Sequence, residues 1–183
     1  MCIHRNRRRL LTVLVFALSG PAIAWSQGPR PAKRHTKADV YQRFLQSQRT
    51  VPKQVQPLVL TPAEWKRRLT KQQFYILRQK GTERKGSGQY LHHKAKGTYV
   101  CSGCGHPLFE SKTKFDSGTG WPSFYGHLAG HVKRLPDVSH GMNRTEIVCA
   151  RCDGHLGHVF PDGPPPTGER HCVNSVSLRF IPE

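Results

Sequence analysis

The chain has 183 residues and is strongly basic, with 29 lysines and arginines against 11 acids and a formal charge of +18. That length allows one domain plus extensions. Residues 1–24 carry +4, residues 25–60 carry +6 and residues 61–183 carry +8, so much of the excess lies outside the folded body. This argues against a nucleic-acid binder, which needs its basic patch on that body, and is read as solubility with loose attraction to an anionic envelope surface.

In chain order, residues 1–24 read as a secretory signal. Arg5 and Arg7-Arg8-Arg9 form the basic start, Leu10 to Leu18 is apolar apart from Thr12, and Ala22-Ile23-Ala24 is a small-residue cleavage site. The run is short of the roughly 20 residues that span a bilayer, so no stable membrane insertion is expected after cleavage. Asn6-Arg7-Arg8-Arg9-Leu10-Leu11 loosely matches a twin-arginine signal. The expected location is exported, and periplasmic or envelope-associated in a bacterium. Residues 25–60 are a basic linker, with Gly28 to Lys37 disordered, a short helix over 40–48, and an extended stretch through Pro52 and Pro57.

The domain is expected over 61–183. Thr61-Pro62-Ala63-Glu64 is a capping box with proline at the first helical position, and Trp65 and Leu69 then share a face. A second helix runs from Thr70 to Lys80 and ends at Gly81. Beyond it the 3.6 period vanishes, and Gly97–Val100, Glu146–Val148, His158–Phe160 and Val173–Phe180 read as strands. The expected fold is mainly β, a small antiparallel barrel-like or tent-like sheet body behind N-terminal helices.

Six cysteines divide by position. Cys101/Cys104 and Cys149/Cys152 are two C-x-x-C pairs, Cys172 stands alone, and Cys2 lies in the signal. Forty-four residues separate Cys104 from Cys149, so a shared site joins two distant turns. Two matched pairs favour one tetrahedral zinc site. Two disulfides, or redox chemistry at one pair, are the alternatives. A lone cysteine such as Cys172 is more often a small buried hydrophobe. Here strand alternation places Cys172, Asn174, Val176, Leu178 and Phe180 on one face. Arg170 and His171 are positive neighbours that lower a thiol pKa. His155 and His158 stand just upstream as candidate proton donors, with a satisfied structural histidine the alternative for each. Trp121, in the Gly/Pro-framed loop Gly118–Phe124, and Phe160 offer apolar rings.

These segments resemble the B-type methionine sulfoxide reductases, the peptide-methionine (R)-S-oxide reductase family. The matching stretches are Gly97–Cys101, Lys114–Gly118, Gly120–Phe124, Cys149-x-x-Cys152, His155–Phe160 and Cys172–Ser175. The resemblance implies a structural zinc on Cys101, Cys104, Cys149 and Cys152. It also implies that Cys172 is the nucleophile on the sulfoxide sulfur and Trp121 and Phe160 an apolar cradle for its methyl group. His155, His158 and Asn174 would bind and polarise the oxygen, and Arg170 would assist substrate binding. The substrate would be oxidised methionine in proteins, and the enzyme a monomer.

Two positions depart from the family pattern. Thr119 stands where many members carry a resolving cysteine, so turnover is expected to draw on an external thiol or redoxin. His171 stands where an aromatic is common. A non-catalytic zinc-stapled binding module is the rival reading, though such a module has no need of a thiol beside Asn174.

Overall fold

The structure, a computed structural model, describes residues 55–183 together with Thr36, Gln42 and Gln46. The expected signal and most of the linker lie outside the described residues. Of the helix expected over 40–48, Gln42 and Gln46 are described, and both are helical. Among the described residues no helix is long and apolar enough to cross a membrane.

Two short helices open the body, α1 (Pro62–Arg68) and α2 (Lys71–Gln79). Both start at capping boxes, Thr61 with Glu64 and Thr70 with Gln73, each satisfying two amides that the first turn would otherwise leave bare. α2 ends at Lys80, which takes the left-handed conformation (φ 56°) one residue before the glycine expected to do so. Trp65, Leu69 and Leu77 on the inner faces are buried.

Nine strands follow: β1 (Gly97–Cys101), β2 (Pro107–Glu110), β3 (Lys114–Phe115), β4 (Ser123–Phe124), β5 (Val132–Asp137), β6 (Arg144–Cys149), β7 (His155–Phe160), β8 (Arg170–Val173) and β9 (Leu178–Pro182). They form two sheets, ordered β2-β1-β9 and β3-β4-β8-β7-β6-β5, with every pairing antiparallel. The mainly β body behind N-terminal helices is therefore as the sequence led one to expect. Tyr99, Phe109 and Phe124 are fully buried. Phe109 stacks on Phe124 with ring centroids 4.4 Å apart, and Tyr99 meets Phe124 edge-on at 5.1 Å, a preferred aromatic geometry.

One expected strand is overturned. Val173–Phe180 is not continuous: β8 ends at Val173, a 3-10 turn covers Ser175–Ser177, and β9 belongs to the other sheet. The single face proposed for Cys172 through Phe180 does not exist. The break has a physical cause, because the amides of Ser175 and Val176 turn inward onto the buried Glu83 carboxylate, at 2.7 and 3.0 Å. A side chain 92 residues away thus caps this turn, and strand periodicity could not reveal it.

Candidate active site

The two C-x-x-C turns come together. The four Sγ atoms of Cys101, Cys104, Cys149 and Cys152 lie within 4.8 Å of one another and are all buried. Cys101 and Cys152 are 3.7 Å apart, and Cys104 and Cys149 3.6 Å. A disulfide needs about 2.05 Å, whereas tetrahedral Zn–S bonds of about 2.3 Å put sulfurs about 3.8 Å apart. The donor set therefore fits a four-thiolate metal ion.

The helices clamp these turns. Arg68 Nε donates to the Gly103 carbonyl at 2.8 Å, and Arg78 Nη1 to the Cys152 carbonyl at 2.7 Å. Arg78 also lies over the Trp65 ring at 4.9 Å. Leu77 fills the space beside Gly103 and Gly154, where an added Cβ would come within 3.3 and 3.0 Å of it.

A separate cleft of about 150 Å³ is lined by Thr82, Trp121, Arg144, Gly157, His158, Phe160, Cys172, Val173 and Asn174. It is smaller than the roughly 300 Å³ at which drug-sized pockets begin, and suits a side-chain tip. β4, β7 and β8 bring its parts together. His158 and Cys172 are direct partners across β7 and β8, and Ser123 and Cys172 across β4 and β8. Gly157 is required here, because a Cβ would come 2.0 Å from the Cys172 carbonyl oxygen.

The residues singled out in the sequence fall into two groups. Trp121, His158, Phe160, Cys172 and Asn174 line the cleft. His155 and Arg170 do not. His155 is buried behind His158, ring centroids 5.5 Å apart. Its Nδ1 lies 2.7 Å from Glu146 Oε1, whose other oxygen accepts from Lys80 at 2.7 Å. Burial lowers the His155 pKa, and the Glu146 contact offsets only part of that. Arg170 is committed to Asp162 through two bonds of 2.8 and 2.9 Å and lies over the Phe160 ring at 4.4 Å. Its positive charge nonetheless favours ionisation of the Cys172 thiol.

The thiol environment also corrects an expectation. Burial raises the Cys172 pKa, and Arg170 and a hydrogen bond from Thr119 counter it only partly. His171 contributes no positive charge. On a strand its side chain alternates to the far face, where it is fully buried, and burial next to the His127 ring lowers its pKa to about 4. It is neutral when Cys172 would ionise.

Three supporting residues escaped sequence reasoning. Asp137 holds His158 Nε2 at 2.7 Å and Arg144 Nη2 at 2.7 Å. Its pKa is well below the usual carboxylate range, owing to bonds from the Ser139 side chain and backbone and from His158. Glu83 accepts the Trp121 indole N–H on its carbonyl at 3.3 Å, and its own amide donates to Asn174 Oδ1 at 3.0 Å. Asn174 Nδ2 donates to the Leu156 carbonyl at 3.1 Å, which fixes the orientation of the amide. Arg144 lines the cleft from β6. The register of β5, β6 and β7 assembles Asp137, Arg144 and His158, and no local motif carries it.

A family model described as the SelR domain matches residues 69–182. Three curated relatives share this region. One is "Peptide methionine sulfoxide reductase MsrB" of Thiobacillus denitrificans, 58% identical over 124 residues, covering 67% of this chain and 94% of the relative. Another, of the same name, is from Pseudomonas savastanoi pv. phaseolicola, 60% identical over 123 residues, covering 67% and 94%. A third, from Methanosarcina barkeri, is 59% identical over 121 residues, covering 66% and 85%.

Proposed function

Since this chain belongs to the SelR-domain family of peptide methionine sulfoxide reductases, we propose that it reduces methionine-R-sulfoxide in proteins, with Cys172 as nucleophile. The observation that carries this reading is the cleft itself. Cys172 sits on its floor, Trp121 and Phe160 give it aromatic walls, and His158 stands directly across the strand pair.

The chemistry follows from these residues. The aromatic walls take the methyl group of the sulfoxide, and a chiral sulfur held against them presents one epimer's oxygen toward the polar side. Sulfoxide oxygen leaves poorly until it is protonated. His158, whose Nε2 is held by the ionised Asp137, supplies that proton, and Asn174 orients the oxygen. The Cys172 thiolate is the soft nucleophile that sulfur calls for. Oxygen passes to Cys172 as a sulfenic acid, the substrate sulfur leaves as thioether, and two electrons have moved from cysteine to substrate. His155, backed by Glu146, positions the His158 ring.

Regeneration consumes two external thiols, which leave as a disulfide with one water. The other described cysteines belong to the four-sulfur cluster, and Thr119 replaces the resolving thiol. Zinc, held by Cys101, Cys104, Cys149 and Cys152, would supply folding energy and leave the redox step to Cys172. Residues 1–24 would act as an export signal, which amino-terminal sequencing of the mature protein tests.

The decisive assay offers separate R and S epimers of a methionine sulfoxide peptide with dithiothreitol. Turnover of R alone, lost in Cys172→Ser, is the expected result. Equal inactivity on both epimers refutes the reading.

A further inference from the structure

We propose that Arg144 is a substrate-binding residue, whose Nε–H donates to the sulfoxide oxygen and lets the cleft tell an oxidised methionine side chain from a reduced one. The proposal rests on the reading of the cleft as a reductase site, and adds to it the donor that senses the oxidation state of the substrate.

The observation behind it is a buried donor with nothing to donate to. Arg144 lines the cleft, and its Nε is buried without a hydrogen-bond partner among the described residues. His106 Nε2 and His171 Nε2 share that condition, but they differ in kind. A neutral imidazole can leave its unprotonated nitrogen unmet, whereas a guanidinium Nε always carries its hydrogen. Neither histidine lines the cleft. Arg144 is thus the obligate donor of the three, and it faces the space a ligand would fill. Leaving such a donor unmet is costly.

The rest of the guanidinium is fixed. Nη2 donates to Asp137 Oδ2 at 2.7 Å and lies 3.4 Å from Ser139 Oγ. The same Asp137 oxygen holds His158 Nε2 at 2.7 Å, so one carboxylate oxygen ties the arginine to the proton donor. Strand alternation agrees. Arg144 and Glu146 point the same way on β6, Glu146 pairs with His158, and His158 pairs with Cys172.

Size and charge identify the acceptor. A cleft of about 150 Å³ takes a side-chain tip and leaves the peptide backbone outside, so the sulfoxide oxygen is the acceptor that enters. Trp121 and Phe160 are the apolar walls, and Arg144, His158 and Asn174 form the polar side toward which the oxygen turns. Asp137 offsets the arginine charge, so the pair suits a dipolar oxygen better than a carboxylate. A thioether sulfur accepts only weakly. Methionine therefore leaves the donor bare again, which favours release of the reduced product.

The test measures binding, with turnover blocked in a zinc-loaded Cys172→Ser protein. Two otherwise identical peptides carry methionine-R-sulfoxide or methionine, and calorimetric titration gives the affinity of each. Arg144→Lys keeps the charge and can still pair with Asp137, but loses the fixed guanidinium fork. It is expected to weaken sulfoxide binding by about tenfold or more, the scale of a hydrogen bond from a charged group, and to leave methionine binding unchanged. The same loss should appear in a His158→Gln background, because the two contacts are separate. Equal loss for both peptides, no loss for the sulfoxide, or a loss that vanishes with His158→Gln overturns the proposal. Should Arg144→Lys lose its near-ultraviolet circular dichroism, the Nε–H proton resonance of Arg144 in the Cys172→Ser protein decides. It should shift with the sulfoxide peptide and stay in place with methionine, and an equal response to both overturns the proposal. A Cys172→Ser protein that binds neither peptide, with no turnover by the parent, is the failure of the reductase reading and takes this proposal with it.

Discussion

Replacing His171 by phenylalanine should remove a specific acid sensitivity. The imidazole is fully buried, its Nε2 has no hydrogen-bond partner, and Nδ1 lies 3.2 Å from the Phe124 carbonyl. The groups facing it are the His127 ring at 5.1 Å, Glu169 at 3.8 Å and the Arg134 cation paired with Glu169. Burial, then His127, lower its pKa from 6.5 to about 4. A base whose folded pKa is depressed contributes stability above its unfolded pKa and loses it as pH falls toward the folded value. The window is therefore pH 6.5 down to 4, and the loss by pH 4.5 is about 2.5 kcal/mol at 1.36 kcal/mol per unit. Urea unfolding followed by tryptophan fluorescence at pH 7.5 and 4.5 measures it for both proteins. Carboxylate and thiol protonation affects parent and variant alike, so only their difference counts. His171→Phe should gain about 2 kcal/mol on the parent between the two pH values. A difference that does not change with pH would refute the reasoning.

Three further outcomes follow from the geometry. Glu83→Ala leaves the Ser175 and Val176 amides without their acceptor and should cost about 3 kcal/mol or more in urea unfolding; a loss under 1 kcal/mol would mean that water replaces the carboxylate. Asp137→Asn should lower kcat/KM by about tenfold or more, since His158 loses its anionic partner, and a rate equal to the parent would remove Asp137 from the proton relay. Stripping zinc with a strong chelator should abolish the cooperative unfolding transition along with activity, whereas a protein that stays folded and slow would assign the metal a catalytic share.

What could be read in advance depended on the range of the interactions. Capping at Thr61 and Thr70 is local chemistry within three residues, and both helices begin there. The two C-x-x-C turns announce their chemistry by spacing, although they meet across 44 intervening residues. β5 was missed because Lys133, Arg134 and Pro136 disguise it. It is an edge strand, where charge and proline guard the open edge. His155 and His158 looked equivalent in sequence. A register shift between Ile147 and Val148 accompanies the turning of the one toward Glu146, while the other lines the cleft. Glu83 and Asp137 act over long sequence separations, with no pattern near either to mark them.

The place of β8 in its sheet bears on the order in which the thiols mature. β8 joins β4 on one side to β7 on the other, yet it is synthesised after every strand it joins. Until it docks, the six-stranded sheet is two unconnected pieces and the cleft has no floor. All four cysteines of the cluster precede it in the chain. A nascent polypeptide can therefore gather those four sulfurs together before Cys172 is laid into place. Vectorial synthesis separates in time two sets of thiols that would otherwise compete for each other.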